Sequence, residues 1–424
     1  MLLGGRCLTT VAYIANEFPS ALEPYVKDEI GELRRRGAHV VCCSGKRVAP
    51  QGLSDTDRSF RDETRYFQPL SDKELMRATR RLASSRPALW QFLKPILWDC
   101  GVSPTKRLRV LAHTVMGAAM AEELAPLGVE HIHAHHGYFA SWMALVAARL
   151  LGIGFSFTLH GSDLLQRADL MAAKLHACQF CVTVSEFNRN YVLEHYPSTP
   201  GSKVIVQRLG VDCAVPSPAR SSQRRGPFCL LSVGRLHRVK NYSLLIQACA
   251  ALHNEGLDMV CWIVGEGPER PALERQIKAL GLQDRVYLPG YVPQVHLSAY
   301  YRNADLVVLT SLSEGIPVVL MEAMVREKLV LAPAITGIPE LVEHGRTGFF
   351  YEPGSLSDFL RRARWILGNQ DSLAEIPRAA AAHVARFYNR QRNLRSFADQ
   401  FLTRIPKDVT DHAHPLLQQV RLSV

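Results

Sequence analysis

The sequence holds no stretch that reads as a membrane span. Its longest apolar segment, Trp142 to Leu159, is interrupted by Arg149. A secretory leader pattern is also missing. Arg6 is followed by Leu8–Ala15, which is short, β-branched and without a cleavage motif, and reads as a first strand. No internal repeat and no recognised nucleic-acid-binding motif occurs, so a nucleic-acid partner is not expected. Paired metal-ligand motifs are lacking too: Cys178 and Cys181 form a lone Cys-x-x-Cys with no second pair. Most of the ten cysteines, including Cys7, Cys42, Cys43, Cys181, Cys229, Cys249 and Cys261, lie inside apolar runs. There a reduced thiol acts as a small hydrophobe, which points to a reducing, cytoplasmic setting rather than a disulfide scaffold.

What is present is a folded-protein composition. The 424 residues are 47% apolar and 21% charged, and the length suggests two domains. The net charge of +11 is unevenly spread. Lys73 to Arg109 is strongly basic and also carries Leu89, Trp90, Phe92, Leu93, Ile96, Leu97 and Trp98. Such a segment suits the anionic inner face of a membrane, and equally a solvated helical face with its tryptophans in the core. Both readings stay open at this level.

Short β-branched runs alternate with helical patterns in both halves, implying parallel sheets covered by helices. Val11–Ala15, Val40–Ser44, His131–Ala134, Phe155–Leu159, Cys181–Val184 and Val204–Val206 read as strands of a first domain, residues 1–214. Residues 215–227, rich in proline, serine and arginine, read as a linker. Phe228–Val233, Val260–Val264, Val286–Leu288, Leu306–Leu309 and Val330–Ala332 read as strands of a second domain, residues 228–385. Ala379–Leu402 reads as one long helical stretch, with residues 386–405 expected to pack back on the first domain and 406–424 as a loose tail. The fold class is therefore α/β, two Rossmann-like doubly wound domains facing a cleft. Ligands in such folds sit beyond the carboxyl ends of the strands.

Two constellations lie on those loops. Glu314 follows the Leu306–Leu309 run, and Glu322 lies eight positions later on an apolar helix after the Gly315–Pro317 turn. A carboxylate there accepts hydrogen bonds from vicinal hydroxyls, and the helix start offers N–H groups to anions. Taken alone, the pair also fits a capping carboxylate and a surface glutamate. The second constellation is Gly234-Arg235, with Lys240 five residues on. Arginine supplies a planar fork for phosphate oxygens and lysine a compact charge. Together the four residues fit a nucleoside diphosphate ligand.

From Val233 to Phe349 the order of motifs resembles the retaining family 4 glycosyltransferases of GT-B architecture. The matching residues are Val233-Gly234-Arg235…Lys240, Val264-Gly265-Glu266-Gly267-Pro268, Leu288-Pro289-Gly290-Tyr291-Val292, Glu314…Glu322-Ala323-Met324, Gly337-Ile338-Pro339-Glu340 and Gly345-Arg346-Thr347-Gly348-Phe349. His133-Ala134-His135, His160-Gly161-Ser162-Asp163, Val184-Ser185-Glu186 and Gly210-Val211-Asp212 extend it over the first half.

The resemblance implies sugar transfer, as a hexosyltransferase, from a nucleotide diphosphate sugar (UDP- or GDP-linked) to a sugar, lipid-linked glycan or small alcohol. Arg235 and Lys240 would hold the diphosphate, and Glu322 the ribose. Glu314 would lie beside the anomeric carbon, and the backbone of Gly315, Ile316, Pro317, Val318 and Val319 on phosphate and sugar. Gly234 and Gly265 would line the donor site, Val292 would face the base, and His160 would reach the sugar from the other domain. Glu23, His135 and Asp163 are expected on the acceptor side. No cofactor or metal is implied. The His131, His133, His135 and His136 cluster matches a metal-free strand end of the family, and Asp55-Thr56-Asp57 reads as a turn rather than a metal motif.

The closest pattern is a subgroup with Ser-Glu-Thr-Phe before its first helix, many of whose members build bacterial surface polysaccharides. Glu23 matches it; Leu22 and Pro24 do not. Peripheral attachment at the inner membrane face through residues 73–109 is one of the two readings of that segment. A nucleotide-sugar epimerase or a non-catalytic nucleotide-sugar binder on the same scaffold are the rival readings.

Overall fold

The structure is a computed structural model that describes residues 9–20, 23–49, 55–85, 103–165, 168–214 and 226–405. The aromatic part of the basic segment (86–102), most of the expected linker (215–225) and the tail (406–424) lie outside the described residues.

The first seven strands are β1 (Thr10–Glu17), β2 (His39–Lys46), β3 (Arg65–Tyr66), β4 (His131–His135), β5 (Gly154–Leu159), β6 (Phe180–Thr183) and β7 (Val204–Val206). They form one parallel sheet in the order β3-β2-β1-β4-β5-β6-β7. The chain winds outward from β1 in one direction and, after β4, in the other. The gap beyond the ends of β1 and β4 is thus the switch point of this sheet. Continuous apolar runs fit this placement, since parallel strands are buried on both faces.

The remaining strands are β8 (Phe228–Val233), β9 (Met259–Val264), β10 (Val286–Gly290), β11 (Leu306–Val308), β12 (Leu329–Pro333) and β13 (Phe349–Tyr351). They form a second parallel sheet, β10-β9-β8-β11-β12-β13, whose switch point lies between β8 and β11. The two switch points matter because Arg235 and Lys240 follow β8, and Glu314 follows β11. Two parallel sheets with helical crossovers are the GT-B architecture.

The expected single C-terminal helix is two, Glu375–Phe387 and Arg390–Arg404. The break is pinned from outside. Val211 N–H donates to the Tyr388 carbonyl at 2.9 Å and Arg390 N–H to the Val211 carbonyl at 3.0 Å, while the Asn389 side chain caps the second helix. These bonds satisfy backbone groups that a continuous helix would have used internally. The second helix then crosses to the first domain. Its Phe397 and Phe401 are buried among Val11, Tyr13 and Phe180, and Phe401 meets the rings of Tyr13, His133 and Phe180 at 5.1–6.1 Å. A second difference concerns Asp55-Thr56-Asp57, which opens the helix Asp55–Glu63 rather than forming a turn. Its acids favour a helix N-terminus, and Asp57 is ion-paired with Lys27.

Burial of Phe401 makes the C-terminal helix part of the first domain's core. Phe401→Ala should lower stability to chemical denaturation by about 3–5 kcal/mol. A loss near zero would show that the helix docks by its polar contacts instead.

Candidate functional site

The loop after β5 and the loop after β11 touch, one from each domain. A Cβ on Gly315 would lie 2.0 Å from the His160 carbonyl oxygen, so only glycine permits this approach. Across the contact Gly161, at φ +122°, faces the Gly315 Cα. A carboxylate also bridges the domains: Glu340 accepts from the N–H groups of Glu186 (3.0 Å) and Phe187 (2.7 Å), at the start of the helix Glu186–His195. That N-terminus welcomes a negative charge.

On the second domain's side, the loops after β8 and β9 nest against each other. A Cβ on Gly265 would fall 2.0 Å from the Gly234 carbonyl oxygen. The Lys240 stem lies against Gly234, and Lys240 Nζ reaches Glu314 Oε1 at 2.6 Å. The Ser311 hydroxyl donates to the same oxygen at 2.5 Å. Glu314 is held at its backbone by Thr336, whose hydroxyl donates to the Glu314 carbonyl at 2.5 Å. Asn241, just after Lys240, sits at φ 49°. Asparagine tolerates this left-handed position. Arg235 is exposed, and its guanidinium has no side-chain partner among the described residues.

Glu322 lies in the helix Val318–Met324 and is buried. Tyr301 donates its hydroxyl to Oε2 at 2.7 Å, and Gln294 donates its amide to Oε1. Burial, followed by the Glu322 charge, drives the Tyr301 pKa well up, which keeps that hydroxyl a donor. Gln294 opens the helix Gln294–Asn303, two residues after Val292, which is half-buried against the second domain's core. Ile316 and Pro317 are buried, and Val318 and Val319 half-buried. The sequence reading missed Ser311, Thr336, Gln294 and Tyr301. None stands in a pattern of its own; only three-dimensional contact with the glutamates marks them.

On the first domain's side, the expected acceptor residues fall in two layers. Asp163 is fully buried and does not face the cleft. Its carboxylate accepts from the N–H groups of Gly137 (2.8 Å), His160 (3.0 Å) and Gly161 (2.9 Å), which fixes the turn carrying His160. His135 is also fully buried and stands behind His160, with Nδ1 at 3.1 Å from His160 Nε2. Its other nitrogen meets Glu29 Oε2 at 3.0 Å, and the Tyr13 hydroxyl donates to that same oxygen at 2.6 Å. Of the three residues expected on the acceptor side, Asp163 and His135 are thus fully buried behind the His160 turn, and only Glu23 is partly exposed. Tyr25 stacks on His160 at 4.6 Å, and burial together with His136 and His135 keeps the half-buried His160 imidazole neutral.

Glu23 is partly exposed and accepts from His136 Nε2 at 2.8 Å. His136 occupies a left-handed conformation, φ 69°, with Asp163 on its other side at 3.5 Å. Burial alone would lower its pKa, but Asp163 and Glu23 outweigh burial and push it up to about 10. His136 is thus a buried imidazolium between two carboxylates.

Glu29, His133 and His135 bring ligand atoms within 4.8 Å of one another. Their nitrogens are spent elsewhere: His133 on the hydroxyls of Ser156 (2.8 Å) and Thr158 (3.0 Å), His135 on Glu29 and His160. Burial holds His133 neutral. Cys178 and Cys181 are buried free thiols, and burial pushes the Cys178 pKa up to about 12, so neither is poised as a thiolate.

Family models match both halves of the chain. Residues 22–215 match the model of Glycosyltransferase Family 4 and residues 217–383 that of Glycosyl transferases group 1. The chain is 33% identical over 199 residues to a putative colanic acid biosynthesis glycosyltransferase, WcaL, of Escherichia coli, covering 45% of this chain and 49% of that protein. It is 30% identical over 206 residues to the amylovoran biosynthesis glycosyltransferase AmsK of Erwinia amylovora, covering 47% and 51%. The matched region spans about half the length of these relatives. Among solved structures, a sucrose-phosphate synthase of Thermosynechococcus elongatus superposes with a TM-score of 0.73 at 18% identity, covering 93% of this chain and 98% of that one. Anabaena Alr3699/HepE in complex with UDP gives 0.67 at 18%, covering 93% and 100%. With both halves matched in sequence and the whole fold matched in space, the chain belongs to the family 4, group 1 glycosyltransferases of GT-B architecture.

Proposed function

We propose that the chain transfers a hexose from a UDP- or GDP-linked donor to a hydroxyl acceptor, with retention at the anomeric carbon, in the synthesis of a bacterial surface polysaccharide or glycolipid. The names of the colanic acid and amylovoran relatives support the setting. The observation that carries the reading is the convergence at Gly315. Glu314, ion-paired with Lys240 at the β8–β11 switch point, immediately precedes Gly315, which meets the His160 turn of the other domain.

In this reading Arg235 and Lys240 bind the donor diphosphate and stabilise charge as the nucleotide departs. They provide the positive charge themselves, so no resident metal is invoked. Glu322, backed by Tyr301 and Gln294, accepts from the ribose hydroxyls, and Val292 lies against the base. Glu314 sits beside the anomeric carbon. Its bonds to Lys240 and Ser311 make it a poor nucleophile, which favours front-face attack through an oxocarbenium-like transition state. The acceptor oxygen then bonds to the anomeric carbon on the face from which the nucleoside diphosphate leaves, and its proton passes to a departing phosphate oxygen. Neutral His160 holds the sugar from above.

Purified protein mixed with candidate nucleotide sugars should release nucleotide, and Glu314→Ala and Lys240→Ala should each lower kcat/KM by about a hundredfold or more. Release that survives both changes unaltered overturns the mechanism.

We also propose that the basic segment docks on anionic lipid. No described helix is long and apolar enough to cross a membrane. Around Lys73, Arg77 and Arg80, the side chains of Leu75, Met76, Leu108 and Leu111 are exposed, whereas Arg81 is ion-paired with Glu122. Charge reversal at Arg77 and Arg80 should abolish co-sedimentation with phosphatidylserine vesicles at low salt. Equal binding to neutral vesicles contradicts the idea.

A further inference from the structure

A cavity of about 500 Å³ opens in the first domain at its own switch point. Its walls include Asn16 and Lys46, at the ends of β1 and β2, and Tyr138, just after β4. This is where a doubly wound sheet binds ligands, yet none of the motifs that carry the family resemblance falls on it. The wall also connects to the transfer site: the Tyr138 hydroxyl lies 3.0 Å from the hydroxyl of Ser162, two residues beyond His160.

The cavity is cationic. Lys46, Lys106 and Arg109 line it, against one carboxylate, Asp169. Asp169 is committed to Lys106 at 2.6 Å. Glu17 is the register partner of Lys46, yet it forms no ion pair with it. Lys46 and Arg109 therefore have no acidic partner among the described residues. The same cavity has a flat aromatic wall, His113 stacked on Phe139 with centroids 4.0 Å apart and planes 13° apart. Burial lowers the His113 pKa, and the charges of Arg109, Lys174 and Lys46 push it the same way, against the opposing pull of its hydrogen bond to the Arg109 carbonyl. His113 is thus a neutral ring in a positive field, with Nδ1–H donated to the Arg109 carbonyl at 2.6 Å.

Two unspent cations, one a planar fork and one a point charge, match a phosphate dianion or a diphosphate better than a single carboxylate, which would leave one cation unanswered. A flat aromatic face beside them suits the C–H side of a sugar ring.

We infer that this cavity seats the acceptor, and that the acceptor carries a phosphate or diphosphate group held by Lys46 and Arg109. The inference rests on the glycosyl-transfer reading and names its acceptor class. The phosphate belongs either to a soluble sugar phosphate or to a lipid-linked glycan.

The test separates those sources. The full chain is saturated with UDP and GDP together, so that the donor's phosphate site is filled. It is then titrated with glucose 1-phosphate, with glucose, and with phosphatidylcholine vesicles with or without polyprenyl diphosphate. At least one phosphate probe should bind about tenfold or more tightly than its neutral counterpart, and Lys46→Ala with Arg109→Ala should remove that advantage. Arg109→Lys should restore part of it. Preference for the soluble probe assigns a sugar phosphate; preference for the doped vesicle assigns a lipid-linked acceptor. Both side chains are exposed, and a cooperative melt of each variant shows that it folds. If neither phosphate probe is preferred, or the double variant binds like wild type, the inference is overturned. Failure of the nucleotides to stabilise wild type overturns the transfer reading instead.

Discussion

Everything at the cleft depends on a backbone-to-backbone approach between two domains. The His160 carbonyl and Gly315 are so close that no side chain fits between them. That contact brings a loop from each switch-side face to one point, and the Glu340 bridge to the helix Glu186–His195 braces it. A side chain at Gly315 would force the domains apart at the place where transfer is proposed.

Around that contact three buried charges have partners of their own. Asp163 holds three backbone N–H groups, His136 lies between two carboxylates, and Glu322 rests on a tyrosine and a glutamine. An unanswered buried charge is costly, so these networks fix geometry more than they add stability. Charges facing open space are different. Arg235, Lys46 and Arg109 lack acidic partners among the described residues. The first follows β8; the other two line the cavity in the opposite domain.

The fold was legible because parallel strands announce themselves as short apolar runs, and helices between them by their period. Each strand predicted from the sequence is present within two or three residues. The single C-terminal helix was misread because nothing local marks a break at Tyr388; Val211, far away in sequence, makes it. Asp55-Thr56-Asp57 was read as a turn although acids also begin helices. Arg235, Lys240, Glu314 and Glu322 could be named from spacing, since family motifs cluster on loops. Tyr301, Gln294, Glu29 and Tyr13 could not, because on a strand or helix they look like ordinary core or surface residues. Asp163 and His135 stand in a legible motif, but only the structure shows them buried against His160. Lys46 and Arg109 were hidden for another reason: one ends a strand and the other sits in a basic segment whose charges all look alike.

The central claim is that a nucleoside diphosphate sits at the β8–β11 switch point against Lys240 and Arg235. Thermal denaturation with UDP, GDP or ADP tests it most directly, since a ligand of the native state raises Tm by mass action. The account predicts that at least one of them raises Tm by several degrees for wild type, and far less for Lys240→Ala and Arg235→Ala. No shift with any nucleotide, or the same shift in all three proteins, would contradict it.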